Sequence, residues 1–324
     1  TSWPPKYPGL GMAPETLSEW IDRASSGRLK IKVYAAGELV PAFEVFDAVS
    51  RGTVEMGNGA AYYHKGKVDA AQFFTAIPFG MTAAEMNGWL YYGGGLELWQ
   101  ELYEPFNLVP FPGGNTSVQM GGWFNKEINA IDDLRGLKMR IPGLGGEVLR
   151  RAGGTPVMLP GSEIFTALQT GAIDATEWIG PYNDVSFGLH KAAKYYYYPG
   201  WQEPGPNLEV IIHKKAWDAL PEDLKELVRL ACQAINLDAA SDYAHGNAMS
   251  LAQLRENPDV EIRRFPDDVL RLLRSTTREV VAELMASDPA ADRIGKAYFD
   301  YLEKATDNSR ISDHAFLATR DYGP

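Results

Sequence analysis

The chain has 324 residues, of which 45% are hydrophobic and 23% charged, with a formal net charge of −11 and an isoelectric point near 5.0. These are globular proportions, and the length suits two lobes better than one ordinary core. The acidity excludes the basic face that nucleic-acid phosphates require, and it argues against a polybasic membrane anchor. An anionic ligand stays possible, because an arginine inside a closed cleft outweighs a diffuse surface charge that salt screens.

The compartment is not decided by composition. The single cysteine, Cys232, excludes an internal disulfide and a cysteine-based zinc site, and it fits a buried apolar residue better than a nucleophile. No apolar run approaches the ~18 residues of a membrane span. The chain begins at Thr1 without an initiator Met, as it would after removal of a signal peptide or in a trimmed chain.

The first hundred residues alternate between predicted helices and strands. Helical spacing covers 14–24 and 41–51, and the second helix ends at Gly52. Alternation over 29–34 and a short apolar run at 54–57 predict strands. This order predicts a mostly parallel sheet covered by helices.

The rest of the chain predicts repeated strand crossings and then a helical end. Extended stretches at 117–125 and 208–213 are long enough to pass between two lobes. The other predicted elements are strands at 107–111, 156–158 and 173–177, a strand that follows Gly136 and ends at Arg140, and helices at about 145–152, 161–170, 181–190, 221–256, 266–287 and 289–305. We find no internal repeat and no flexible linker, so we expect two lobes joined by a multi-strand hinge.

Motifs that would indicate an enzyme are missing. The sequence contains no dinucleotide-binding or phosphate-binding glycine motif, no G-x-S-x-G and no H-E-x-x-H. Its five histidines are scattered without metal-ligand spacing. An enzymatic function therefore has no positive support in the sequence.

Arg140 ends a predicted strand, and open α/β sheets bind ligands at the carboxyl ends of their strands. A guanidinium in that position would hold a carboxylate through two parallel hydrogen bonds. From this pattern alone, an ordinary surface arginine is the simpler interpretation.

Glu177 and Trp178 end another predicted strand. The simple interpretation is a solvated carboxylate beside a core tryptophan. The functional one is a site for Na⁺ or Ca²⁺, because carboxylate, amide and carbonyl oxygens suit hard cations. Gln119 and Glu203 would converge on Glu177 if the two lobes face each other.

Tyr62 and Tyr63 follow the end of a strand in the N-terminal part. One of these side chains could donate its hydroxyl hydrogen to a ligand.

Four segments together resemble one known family. Residues 133–142 read Asp-Leu-Arg-Gly-Leu-Lys-Met-Arg-Ile-Pro, and residues 160–177 contain Ala-Leu-Gln-Thr-Gly followed by Asp-Ala-Thr-Glu. These segments, with 26–39 and 46–56, resemble the periplasmic solute-binding proteins of tripartite ATP-independent periplasmic (TRAP) transporters. The segments occur in the family's order over nearly the whole chain. Glu177-Trp178 and the loop 201–203 are most similar to the branch that binds 2-oxo acids such as pyruvate, or lactate, together with a metal cation.

The resemblance implies an α/β fold, namely a two-lobed periplasmic binding protein with mixed or parallel sheets, a multi-strand hinge and long C-terminal helices. We expect residues 1–120 and 213–255 in the first lobe and residues 121–212 and 256–285 in the second. Residues 286–324 would form a helical extension that could mediate a homodimer.

The resemblance also implies roles for individual residues. Arg140 would grip the ligand carboxylate, and Na⁺ or Ca²⁺ would bridge the protein to the ligand oxygens. The predicted ligand-binding residues are Arg140, Gln119, Tyr63, Trp178 and Asn183. The predicted cation ligands are Gln119, Glu177, Trp178 through its carbonyl, and Glu203.

The sequence thus predicts a periplasmic protein that is not an enzyme and has no organic cofactor. Its partners would be a small organic acid and the membrane permease subunits, not nucleic acid. One alternative is the same scaffold binding a larger aromatic or sugar carboxylate without metal, in a pocket lined by Trp89, Trp123 and Trp178. The others are a metal-dependent α/β enzyme that acts on small organic acids through Glu177, and a ligand-sensing domain.

Overall fold

The computed structural model describes residues 1–320 and Tyr322. Its helices are α1 (Met12–Ala24), α2 (Val45–Ser50), α3 (Ala83–Tyr92), α4 (Gly95–Tyr103), α5 (Gly143–Arg151), α6 (Gly161–Gln169), α7 (Pro181–Ser186), α8 (Lys214–Asp218), α9 (Glu222–Glu256), α10 (Asp267–Ser287), α11 (Pro289–Ile311) and α12 (Asp313–Arg320). Its strands are β1 (Met56–Gly59), β2 (Leu108–Asn115), β3 (Gly122–Phe124), β4 (Lys138–Arg140), β5 (Thr155–Val157), β6 (Ala175–Thr176), β7 (Tyr195–Tyr198), β8 (Asn207–His213) and β9 (Glu261–Arg264).

The strands form two sheets, one for each lobe. The first has the order β1-β8-β2, and both of its strand pairs are antiparallel. The second has the order β5-β4-β6-β3-β7-β9 and is mixed, because β3 runs antiparallel to both of its neighbours while the other pairs are parallel. The predicted two-lobed fold with mixed sheets is therefore confirmed. The parallel sheet expected for the first hundred residues is wrong, since β1 pairs with a strand from much later in the chain.

The predicted strand at 29–34 is wrong, because this segment belongs to neither sheet among the described residues. Separate hydrogen bonds hold it instead: the Ser18 hydroxyl donates to the Ile31 carbonyl at 2.5 Å, and the amino group of Thr1 donates to the Tyr34 carbonyl at 2.9 Å. A cavity of about 590 Å³ is lined by both this segment and β1. Alternating side chains at 29–34 therefore predict a strand for which the fold provides no partner strand.

The chain passes between the two sheets at 116–121 and 199–206, and a third time through α8 and α9, which connect β8 to β9. The strand β8 was expected in the second lobe as part of 121–212, but it is the central strand of the first sheet. The reason is that its backbone pairs with both β1 and β2. The other lobe boundaries stay predictions.

The predicted long C-terminal helices are confirmed. The first helix of the predicted extension, α11, is part of the core. α10 packs on α5, whereas α11 packs on α3, α4 and the 3₁₀ segment Asp69–Phe74. Tyr298 of α11 is fully buried, and its hydroxyl accepts a hydrogen bond from the Met81 amide at 2.9 Å. α12 lies on α11 and leaves Phe316 exposed. A homodimer through this region stays a prediction.

Cys232 lies in α9 with 1% of its surface exposed, and burial raises the pKa of its thiol to about 12, as expected for an apolar packing residue. Within the described part of the chain, no helix has the length and apolar character needed to cross a bilayer.

Candidate ligand and cation site between the lobes

The candidate site lies where the chain crosses between the two sheets. Arg140 is the last residue of β4, and Glu177 directly follows β6, the parallel neighbour in which Thr176 lies opposite Arg140. Gln119 belongs to the crossing segment 116–121 and Glu203 to the crossing segment 199–206. All four of these polar side chains are at most 4% exposed. The structure therefore gathers four of the predicted residues in one buried region.

Arg140 is fixed in the site by two kinds of contact. Its Nε donates a hydrogen bond to the Leu159 carbonyl at 3.1 Å, and Nη1 donates to a Glu177 carboxylate oxygen. Its Cζ lies 5.2 Å from the centre of the Trp178 ring, a cation–π distance. The remaining nitrogen, Nη2, is buried and has no hydrogen-bond partner among the described residues. A buried N–H group without a partner is costly, so this nitrogen is suited to an oxygen of a bound acid.

Trp178 is held against Arg140 by packing on its other sides. Its ring lies 4.9 Å from that of Phe187 and 6.4 Å from that of Tyr7. Gly161, the first residue of α6, is needed here because a Cβ atom at that position would lie only 2.6 Å from the tryptophan ring. The ring therefore has little freedom to move away from the guanidinium.

Oxygen atoms without partners lie on the crossing segments. Gln119 donates its amide N–H to the Thr116 hydroxyl at 3.1 Å, while its Oε1 and the Oε2 of Glu203 have no partner among the described residues. A backbone hydrogen bond joins the two segments, because the backbone N–H of Gln119 donates to the backbone carbonyl of Glu203 at 3.2 Å. Gly200 permits this close approach, because a Cβ there would overlap the Gln119 backbone. The pairing thus fixes two candidate oxygen ligands relative to each other.

The buried carboxyl groups are short of positive charge. Burial raises the pKa of Glu203 well above its usual range, and the nearby charge of Glu177 raises it further. Burial also raises the pKa of Glu177, although the Arg140 guanidinium opposes this shift. One guanidinium therefore serves two buried carboxyl groups.

The residues present fit a hard cation. They offer carboxylate and amide oxygens together with the Trp178 carbonyl, which are the donors that sodium and calcium prefer. Across the described residues, no three His, Cys, Asp or Glu side chains gather as metal ligands. A cation here would therefore depend on Gln119 and on backbone oxygens as well as on the two carboxylates.

The first lobe contributes Tyr62 and Tyr63, which lie on the 3₁₀ segment Ala61–His64. Tyr62 is 9% exposed and packs against Gly143 at the start of α5, so it joins the two lobes. Burial and the charge of Glu203 raise the pKa of its hydroxyl. The Tyr63 ring lies 5.0 Å from that of Phe43. The family resemblance assigns ligand binding to Tyr63, and this role stays a prediction. Tyr62, which the resemblance does not assign, contacts the opposite lobe at Gly143.

Asn183 is placed differently from the other predicted residues. It is fully buried on α7, where its Nδ2 donates to the Pro8 carbonyl at 3.0 Å and its Oδ1 accepts from the Tyr243 hydroxyl at 3.2 Å. Both polar groups of the amide thus already have protein partners, in contrast to Gln119. A ligand-binding role for Asn183 stays a prediction.

The two lobes, the crossing segments and the buried polar cleft define a solute-binding protein. Residues 1–288 match the DctP family model, described as bacterial extracellular solute-binding protein, family 7. The chain is also 41% identical over 316 residues to the monocarboxylate 2-oxoacid-binding periplasmic protein of Nostoc sp. PCC 7120, covering 98% of this chain and 86% of the relative. The chain therefore belongs to the bacterial extracellular solute-binding protein family 7.

Solved structures of TRAP periplasmic solute-binding proteins are similar over the whole chain. One from Pseudoalteromonas atlantica, with bound sodium and pyruvate, is 42% identical with a TM-score of 0.95 and covers 99% of this chain and 97% of its own. One from Colwellia psychrerythraea, with bound calcium and pyruvate, is 41% identical with a TM-score of 0.95 and covers 98% and 97%.

These likenesses confirm the predicted class. The chain is a periplasmic TRAP-type solute-binding protein and not an enzyme. Proteins of this class bind small organic acids and deliver them to membrane permease subunits.

Proposed function

We propose that this protein captures a small 2-oxo or 2-hydroxy monocarboxylate, such as pyruvate or lactate, together with Na⁺ or Ca²⁺. The observation that carries this proposal is that one buried region holds Arg140 Nη2, Gln119 Oε1 and Glu203 Oε2, none of which has a hydrogen-bond partner among the described residues. The pyruvate found with sodium or calcium in the two similar structures supports it.

In this proposal Arg140 holds the ligand carboxylate. Its Nη2 has no partner in the described part of the chain, and Nη1 would exchange Glu177 for the ligand, so the guanidinium offers two parallel N–H groups. The Leu159 carbonyl keeps the plane of the guanidinium in place during this exchange. Glu177, released from Arg140, would then be a cation ligand together with Gln119, Glu203 and the Trp178 carbonyl.

Charge balance explains why an acid and a cation would bind together. A divalent ion would neutralise the combined charge of Arg140, the two carboxylates and a monoanionic ligand. With a monovalent ion one negative charge would remain, and the raised pKa of Glu203 would allow a proton to remove it. The site can therefore accept either ion with a different protonation state.

Ligand entry requires the lobes to separate, because the site is closed. The four central side chains are at most 4% exposed, and Tyr62 contacts Gly143 across the cleft. A ligand that bridges Arg140 and the crossing segments would favour this closed arrangement over an open one. The permease could then distinguish loaded from empty protein by shape.

The test is a thermal-shift screen of metal-stripped protein against organic acids of increasing size, each with calcium, with sodium or with a chelator. Because binding to the native state raises stability by mass action, pyruvate or lactate should raise the Tm, and a cation should enlarge the rise. Larger aromatic or sugar acids that raise the Tm equally well with chelator present would overturn the proposed ligand and the cation site.

A further inference from the structure

The side chain of Asp184 makes a set of buried hydrogen bonds behind the proposed site. Asp184 is fully buried on α7. Its Oδ2 accepts hydrogen bonds from Trp123 Nε1 at 3.0 Å and from the Tyr196 hydroxyl at 2.7 Å, and its Oδ1 accepts from the Ile179 amide at 3.2 Å. This one carboxylate thus joins β3 and β7 to the turn that follows Glu177 and Trp178.

The two aromatic donors form a rigid support. The Trp123 and Tyr196 rings stack with centroids 4.1 Å apart at 15°, and the residues lie opposite each other on β3 and β7. Trp123 also lies opposite Thr176, the residue before Glu177. Asp184 is therefore fixed relative to β3, and β3 pairs with β6, the strand that Glu177 directly follows.

The backbone N–H and C=O of Ile179 link Asp184 to both segments that carry the proposed cation ligands. Its amide is held by Asp184, and its carbonyl accepts a hydrogen bond from the Met120 amide at 2.8 Å. Ile179 follows Glu177 and Trp178, and Met120 follows Gln119. A shift of this one residue would therefore move ligands on both segments.

We propose that Asp184 is a positioning residue that sets the distance between Gln119 and the Glu177-Trp178 carbonyl and carboxylate oxygens. The inference rests on the proposed function, because its effect is exerted through cation ligands. Groups behind metal ligands commonly tune affinity in this way without touching the metal. Asp184 itself has no place in the ligand-binding set, since both of its oxygens are already bonded to protein groups.

The substitution Asp184→Asn tests this role with little change in size. In asparagine a nitrogen takes the place of one carboxylate oxygen, and this nitrogen donates and cannot accept a hydrogen bond. If it faces Ile179, the backbone amide of Ile179 loses its acceptor. If it faces Trp123 and Tyr196, buried donors face each other. Both outcomes loosen the turn after Trp178.

The matched control is Tyr243→Phe, which removes a different buried hydrogen bond to α7. Tyr243 donates to Asn183 at 3.2 Å and has no hydrogen bond to the 177–180 turn. Both variants should lower the Tm, but only Asp184→Asn should alter the cation site.

The measurements are calcium affinity at saturating pyruvate and the luminescence lifetime of bound Tb³⁺, a calcium substitute, in H₂O and D₂O. The lifetimes count the water molecules on the ion. We expect Asp184→Asn to weaken calcium binding by about ten- to a hundredfold and to admit at least one additional water, with Tyr243→Phe like the wild type. Should Asp184→Asn not fold, Tyr196→Phe removes one donor from the same oxygen and should shift both readouts in the same direction.

A fall in Tm with unchanged calcium affinity and water count would show that Asp184 is only structural and would overturn the inference. Wild-type protein that binds neither calcium nor pyruvate would instead overturn the proposed function. The two failures are thus distinguished by the wild-type titration.

Discussion

Arg140 donates a hydrogen bond to Glu177 from the end of a neighbouring parallel strand, in a region where neither side chain is more than 2% exposed. A buried ion pair of this kind is a poor source of stability, because desolvation of both charges offsets their attraction. It is well suited to exchange, because each side chain is held where it can bind another ion of opposite charge. A bound acid would replace Glu177 at Arg140, and a bound cation would replace Arg140 at Glu177.

Replacing Arg140 with lysine should weaken pyruvate binding by at least about tenfold, the effect of losing about 1.4 kcal/mol. Lysine keeps the positive charge beside Glu177 but loses the planar pair of N–H groups that a carboxylate accepts. Isothermal titration in the presence of calcium measures the change.

The matched control for this variant is Arg135→Lys, at an arginine that is 77% exposed in its ion pair with Asp132. It should bind like the wild type, because an exposed ion pair contributes little. Equal affinity in the Arg140→Lys and Arg135→Lys proteins would remove Arg140 from the ligand site.

Replacing Glu203 with glutamine should abolish most of the stabilisation by calcium without destabilising the metal-free protein. Glutamine resembles the protonated carboxyl group that burial favours at this position, but it lacks the charge that a cation requires. Thermal unfolding with calcium and with chelator shows both effects. The exposed Glu163→Gln is the control, and it should retain the full calcium response.

Calcium should stabilise the protein more at pH 8 than at pH 5.5. Because the pKa values of Glu177 and Glu203 are raised, protons compete with the cation for the same oxygens at low pH. A calcium-induced rise in Tm that is equal at both pH values, at saturating pyruvate, would contradict carboxylate ligation.

The metal-free protein should show the opposite trend with pH. Burial and the charge of Glu177 raise the pKa of Glu203 well above its usual range, whereas an unfolded glutamate has a pKa of about 4.3. The native state therefore holds more protons than the unfolded state above about pH 4, so the free energy of unfolding falls as pH rises from about 4 towards neutrality. Chelated protein measured by denaturant unfolding at pH 5 and pH 7 tests this sign.

Replacing Gly200 with alanine should lower both stability and ligand affinity. The new Cβ would overlap the Gln119 backbone, and overpacking of this kind costs about 1–3 kcal/mol. The two crossing segments would move apart, and the distance between Gln119 and Glu203 would increase. Unfolding and pyruvate titration measure the two effects.

Gly171→Ala separates these effects from ordinary backbone strain. Gly171 has a positive φ of 76° with nothing near its Cβ position, so alanine there costs strain on the order of 1–3 kcal/mol and should leave pyruvate affinity unchanged. Loss of affinity in Gly171→Ala as well would show that general destabilisation accounts for the effect at Gly200.

Much of the fold was predictable because local signals agree with the tertiary structure. The spacing of apolar residues predicted 221–256 and 266–287 as helices, and α9 and α10 occupy nearly the same residues. The strand ends at Arg140 and Glu177 were also recognisable, because each strand is followed by a turn. Convergence of Arg140, Glu177, Gln119 and Glu203, however, required the family resemblance, since no local pattern specifies which strands are neighbours.

Other features depend on contacts that sequence spacing does not reveal. β8 is an apolar run like any other strand, and only its hydrogen bonds with β1 and β2 place it in the first sheet. Asp184 follows Pro-Tyr-Asn at the start of a short helix, where an exposed acidic residue is common. Its burial against Trp123 and Tyr196 arises from sequence separations of 61 and 12 residues.

The most direct test of the account is titration of pyruvate into metal-stripped protein by isothermal calorimetry, with and without calcium. We expect one pyruvate per chain and an affinity at least about tenfold higher with calcium, a coupling of about 1.4 kcal/mol between the two ligands. Pyruvate affinity that is the same in chelator and in calcium would contradict a shared acid and cation site at Arg140 and Glu177.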